Sequence, residues 1–120
     1  MTHTLEESDL HKFSGTEHWY RHSLVRSVLF TDGVKHVAEA GGAHWLVNEI
    51  ALAQRYEKKL SGEEFQLWKL AVKEDRTAIL VCENGNGQKL LAKVIPYTDF
   101  PLREIKLYFT GDVILLPSEY

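Results

Sequence analysis

Leu60-Ser61-Gly62-Glu63-Glu64-Phe65-Gln66-Leu67-Trp68-Lys69-Leu70-Ala71-Val72-Lys73 is the stretch where the period of the chain changes. Up to Leu60 apolar residues recur at helical spacing. From Phe65 onward they alternate, with Trp68, Leu70 and Val72 on one face of an extended chain and Lys69 and Lys73 on the other, because successive strand side chains point to opposite faces. Ser61-Gly62 and the late lysines Lys58 and Lys59 are the expected stop signals of the preceding helix. Helices before this point and strands after it specify an α+β domain, not an alternating βαβ chain.

Working downstream, Glu74-Asp75-Arg76 reads as a turn, and residues 77–83 are apolar on both faces, as in a central strand. Asn84-Gly85-Asn86-Gly87 is a hairpin turn, since Asn and Gly tolerate positive φ. Residues 89–95 alternate again, with Leu90, Ala92 and Val94 opposite Lys89, Leu91 and Lys93, until Pro96 closes the strand. Residues 105–109 and 113–116 flank a second tight turn at Thr110-Gly111-Asp112. The expected architecture is therefore a four- to five-stranded antiparallel meander with the N-terminal helices packed on one face.

Upstream, Thr4-x-x-Glu7 has the form of a capping box opening a short helix to about Lys12. Only Leu5 and Leu10 give that helix an apolar stripe, so loose docking is expected. Residues 17–30 fit two periods: His18, Tyr20 and His22 alternate with Trp19 and Arg21 as in an edge strand, whereas Val25, Val28 and Leu29 suit a helix. Asp32 is placed to cap a helix through Ala40, ended by Gly41-Gly42. The most regular helical pattern spans residues 43–60.

The chain has 120 residues and a net charge of −3, which suits one soluble domain, residues 1–120, able to bury a core without metal or disulfide. One cysteine excludes an internal disulfide. No apolar run approaches the ~18 residues of a membrane span, and Glu6, Glu7 and Asp9 are unlike a signal peptide, so a cytoplasmic protein is expected. A surplus of Lys and Arg, which phosphate binding requires, is lacking overall. Nucleic acid is accordingly disfavoured, with Arg21, Arg26 and Lys35 as the only local basic patch to test.

Glu49 is the most informative single position. On the wheel of residues 43–60 it falls within an apolar arc of Trp45, Leu46, Ile50, Leu52, Ala53, Tyr56 and Leu60. A carboxylate buried there needs a partner, expected to be a His, Arg or Tyr of the first half or Tyr97. It reads either as a structural pair, which carries the greater weight, or as a general acid–base group acting with His22 or His44. His18 and His22 lie four apart beside Glu17, yet without a second pair, an H-E-x-x-H or a Cys pair they do not make a metal site, and neither metal nor cofactor is expected. Cys82 sits in an apolar strand and is expected to be buried and inert. The loop Pro96-Tyr97-Thr98-Asp99-Phe100-Pro101-Leu102 is stiff and aromatic. Tyr97, Asp99 and Phe100 there are either recognition residues or caps on the core.

Phe13-Ser14-Gly15-Thr16-Glu17-His18-Trp19-Tyr20-Arg21-His22, Phe30-Thr31-Asp32-Gly33-Val34-Lys35, Phe65-Gln66-Leu67-Trp68-Lys69, Ile95-Pro96-Tyr97-Thr98-Asp99-Phe100-Pro101-Leu102 and the final Leu115-Leu116-Pro117-Ser118-Glu119-Tyr120 together resemble an uncharacterised bacterial family. The resemblance spans residues 13–120. It implies a small single-domain protein of unknown function, met in cyanobacteria, proteobacteria and mobile elements, and it implies no activity and no catalytic residue. The leading expectation is a non-enzymatic module that binds a protein partner. The rivals are a small hydrolase-like enzyme built on Glu49 with a His, and a nucleic-acid binder.

Overall fold

The structure is a computed structural model that describes residues 5–15 and 17–120. It is α+β. Among the described residues the regular elements are β1 (Trp19–Arg21), β2 (Leu29–Thr31), α1 (Asp32–Ala40), α2 (His44–Tyr56), β3 (Phe65–Val72), β4 (Ala78–Asn84), β5 (Lys89–Ile95), β6 (Glu104–Thr110) and β7 (Val113–Leu115), with 3-10 turns at Glu7–His11, Lys58–Leu60 and Pro117–Glu119.

The strands form one mixed sheet in the order β1-β2-β7-β6-β3-β4-β5. This corrects the expected four- to five-stranded meander in number, in order and in direction. Only β3, β4 and β5 run as a meander. The segment after Ile95 then crosses back, and β6 pairs with the far side of β3. The first half contributes two short strands, and β2 lies parallel to β7, with Leu29 opposite Val113 and Phe30 opposite Ile114. Among the described residues the strands of the second half pair only antiparallel with one another, as expected from their short turns. Residues 17–30 resolve in favour of the edge strand: β1 ends the sheet.

Alternation decides which face is covered. Gln66, Trp68 and Leu70 of β3, Ala78, Leu80 and Cys82 of β4, and Ile105, Leu107 and Phe109 of β6 are buried on one face, against Val34, Val37 and Ala38 of α1 and Leu46, Val47, Ile50 and Ala51 of α2. Each fully buried Leu or Ile contributes ~1.5–3 kcal/mol of transfer free energy. The polar residue in this layer is held by a reciprocal amide pair: Gln54 Nε2 donates to Gln66 Oε1 at 2.7 Å and Gln66 Nε2 donates to Gln54 Oε1 at 2.9 Å. Trp68 Nε1 also donates to Gln66 Oε1, at 3.0 Å. Cys82 is fully buried beneath α2, and burial pushes its thiol up to about 12, as an inert thiol requires.

Helix ends differ from expectation in detail. Thr31, not Asp32, is the N-cap of α1: its hydroxyl accepts from the Val34 N–H at 3.3 Å and donates to Glu119 Oε1 at 2.6 Å. Glu119 Oε2 accepts from the Gly33 N–H at 3.2 Å, so the chain's last turn closes the start of α1. The helix expected over 43–60 stops at Tyr56 and resumes as a 3-10 turn. Thr4 of the expected capping box lies outside the described residues; in the described chain the Asp9 carboxylate accepts from the Glu6 N–H at 3.0 Å. In this segment Leu5 and Asp9 are buried, and Lys12 and His36 approach the Asp9 carboxylate at 2.9 and 3.6 Å. Among the described residues no helix is long and apolar enough to cross a membrane.

Candidate functional site

A cleft runs between α2 and the edge strand β5. Its helical wall is a single stripe, Trp45, Glu49, Leu52 and Tyr56, spaced 4, 3 and 4 residues apart along α2, so these side chains stack on one side of the helix. Its other wall is the row Leu91, Lys93 and Ile95, which register with Cys82, Leu80 and Ala78 on the covered face of the sheet. Two cavities of about 540 and 380 Å³ share Glu49 and Lys93. The first is floored by Trp68 and Leu80 and bordered by Tyr56. The second reaches Trp45, Tyr97, Thr98 and Asp99.

At the junction, Lys93 Nζ donates to both carboxylate oxygens of Glu49, at 2.8 and 2.9 Å. Glu49 is therefore not the buried carboxylate expected from the wheel: its side chain is 34% exposed, that of Lys93 is 53% exposed, and its partner is a Lys from the second half. The buried stripe of α2 runs through Leu46, Val47, Ile50 and Ala51, because the helix packs against both the sheet and α1. The Trp45–Tyr56 stripe is left as the wall of the cleft, and Tyr56 is exposed.

The structure brings Glu49 together with two of the three loop candidates. Tyr97 and Asp99 line the second cavity, and Tyr97 is 69% exposed. Phe100 is fully buried and belongs to the core. Its N–H donates to Thr98 Oγ1 at 3.1 Å, and the Arg76 guanidinium holds the loop through the carbonyls of Thr98 and Phe100 at 2.9 and 2.6 Å.

The three histidines are not gathered around Glu49. Among the described residues no hydrogen bond or ion pair joins Glu49 to a histidine. His22 is buried and structural. Its Nδ1 accepts from the N–H groups of Leu24 and Val25 at 3.2 and 3.0 Å, which leaves the proton on Nε2 to be donated to Asn48 Oδ1 at 2.7 Å. His44 is exposed at the start of α2. His18 is exposed and lies 3.5 Å from Asp32.

Asp32 and Tyr20 form a second polar cluster at the other end of the sheet. The Tyr20 hydroxyl donates to Asp32 Oδ1 at 2.8 Å. That bond holds the Asp32 carboxyl below the usual range, helped by His18 against some desolvation, and it pushes the Tyr20 hydroxyl above its own. Lys35 lies 4.5 Å over the Tyr20 ring, and the Arg21 guanidinium donates to the Arg26 carbonyl. The basic patch of Arg21, Arg26 and Lys35 thus has two of its cations engaged within the fold. Among the described residues no group of three His, Cys, Asp or Glu side chains is placed to hold a metal ion.

Lys93 is the cleft residue the sequence reading missed. Its signal was present: Lys93 stands between Leu91 and Ile95 at the strand repeat, and an inward-pointing charge is a device of edge strands. No curated protein and no solved structure matches the chain. A family model does match it, over residues 4–120. It covers the elements that build the cleft and both polar clusters, and it agrees with the resemblance drawn from the motifs: the chain belongs to the family of unknown function DUF6876.

Proposed function

We propose that this domain is a non-enzymatic protein-interaction module that receives an extended segment of a partner along the α2–β5 cleft. The observation that carries the reading is a half-exposed ion pair, Glu49–Lys93, set between apolar and aromatic walls beside a sheet edge. Among the described residues one side of β5 has no neighbouring strand, so its backbone groups are available to an added strand. Trp45, Leu52, Tyr56 and Tyr97 offer the large, stiff contact surfaces that dominate protein recognition.

Lys89, Lys93 and Pro96 guard this edge against indiscriminate pairing. The same charge selects the partner. An ammonium has three N–H donors, and the bond to Glu49 leaves at least one for a ligand carboxylate. Leu91 and Ile95 flank Lys93 at the strand repeat. The preferred segment therefore carries Asp or Glu opposite Lys93, with apolar residues two positions to either side. The single, buried cysteine at 82 is compatible with the reducing interior of a cell.

The test is selection of random octapeptides displayed on phage against the folded domain. Enrichment of an acid flanked at ±2 by apolar residues, with binding abolished in Lys93→Glu and Leu52→Glu variants of native circular dichroism, supports the reading. Failure to enrich, or equal binding by both variants, overturns it.

A further inference from the structure

The sheet face turned away from the helices carries a concavity of about 580 Å³ lined by Phe65, Gly85, Tyr108, Pro117 and Tyr120. Its three aromatic rings touch one another at steep angles. Phe65 and Tyr108 are 4.9 Å apart at 59°, Phe65 and Tyr120 are 5.6 Å apart at 62°, and Tyr108 and Tyr120 are 5.3 Å apart at 86°. Rings meeting edge to face leave the remaining ring faces as walls of a corner. Phe65 and Tyr108 reach it from adjacent strands, and the turn Pro117–Glu119 brings Tyr120 across.

We propose that this aromatic corner is a binding site for an alkylated ammonium group. A ring face carries negative charge density and attracts a cation within about 6 Å of its centre. The three ring centres lie 4.9, 5.6 and 5.3 Å apart, so a cation over the corner comes within that reach of more than one ring and keeps one side toward solvent. An alkylated ammonium suits such a seat, because its methyl groups pack on the rings and it needs no hydrogen-bond acceptor, of which the lining side chains offer few. A bare ammonium or guanidinium would lose more hydration for the same contact.

Exposed Asp112 lies two residues beyond Thr110, the cross-strand partner of Phe65. None of the described lining residues is basic. On the same face Lys69 is bonded to Glu83 at 3.1 Å, and Lys106 lies two residues before Tyr108, toward the opposite end of β6. The site is separate from the α2–β5 cleft and does not depend on it.

The experiment is a nitrogen-15 NMR titration of the full chain with choline and, separately, with 3,3-dimethyl-1-butanol, its neutral isostere. Choline is expected to shift the amides of residues 65, 85, 108 and 120 saturably, with affinity about fivefold or more above that of the alcohol. Tyr108→Leu and Tyr120→Leu should each abolish the preference; Tyr120 is exposed, so its variant keeps the fold. A trimethyl-lysine peptide in a third titration assigns the source: tighter binding than choline points to a modified protein, equal or weaker binding to a small molecule. Equal affinity for choline and the alcohol, no saturable shift by choline, or shifts unchanged in the Tyr120→Leu variant overturns the proposal.

Discussion

A carboxylate on an apolar helical arc can be a buried catalytic group, a buried structural one, or the polar bead in a cleft wall; Glu49 is the last. Because both members of its pair with Lys93 reach solvent, their attraction is weak, of the order of exposed ion pairs, ~0.2–1 kcal/mol. Glu49→Gln should therefore lower stability by less than about 1 kcal/mol in urea unfolding. A larger loss would mean that the cleft closes over the pair in solution. The Tyr20–Asp32 bond makes a prediction in pH. The lowered Asp32 value stabilises the fold above the ordinary carboxylate range, and this is lost as pH falls through the folded value. The raised Tyr20 value stabilises it below the ordinary tyrosine range, and this is lost as pH rises. The stability difference between the wild-type chain and Tyr20→Phe should thus be level from about pH 5 to 9 and shrink below pH ~4 and above pH ~10. A difference that does not change with pH would exclude this bond as its source.

Among the elements, α1 depends on residues far from it in sequence. Thr31 caps its first turn and Glu119 supplies a second acceptor 86 residues away from Gly33. Thr31→Ala removes both the cap and the hydroxyl bonded to Glu119, so a loss of about 1–2 kcal/mol is expected, read as a lowered urea midpoint with an unchanged slope. The link between α2 and β3 is stiffer. Gln66→Leu leaves the Trp68 indole N–H and the Gln54 amide without the acceptor they share, at a cost on the order of 2–3 kcal/mol. The same measurement checks it, and an unchanged midpoint would show that the amide pair is dispensable. These contacts explain why the ends of the elements were the hardest feature to read. Asp32 is a good N-cap by residue type, but the backbone of Thr31 takes the extended conformation of the cap because β2 ends there.

At the scale of the molecule, the helices and the long strands share one buried layer. We therefore expect unfolding followed by tryptophan fluorescence and by far-ultraviolet circular dichroism to give one coincident transition; separate midpoints would show that the β1–β2 end melts independently. The helical and alternating periods and their breakers determined, without reference to any contact, the α+β class, the presence of α1 and α2, the bounds of β5 and both hairpin turns, since these follow from local geometry: side-chain period, turn residues and breakers. The burial of Cys82 was legible for the same reason. The crossing of β6 to the far side of β3, the parallel seat of β2 beside β7 and the closure of α1 by Glu119 were not, because three-residue strands have too few alternating positions to announce a partner and long-range pairing leaves no local period. The candidate site divided in the same way. Glu49 and Tyr97 were marked by their chemistry, but that Lys93 would face Glu49, with the histidines turned elsewhere, was decided only when the sheet register set which face of β5 meets α2.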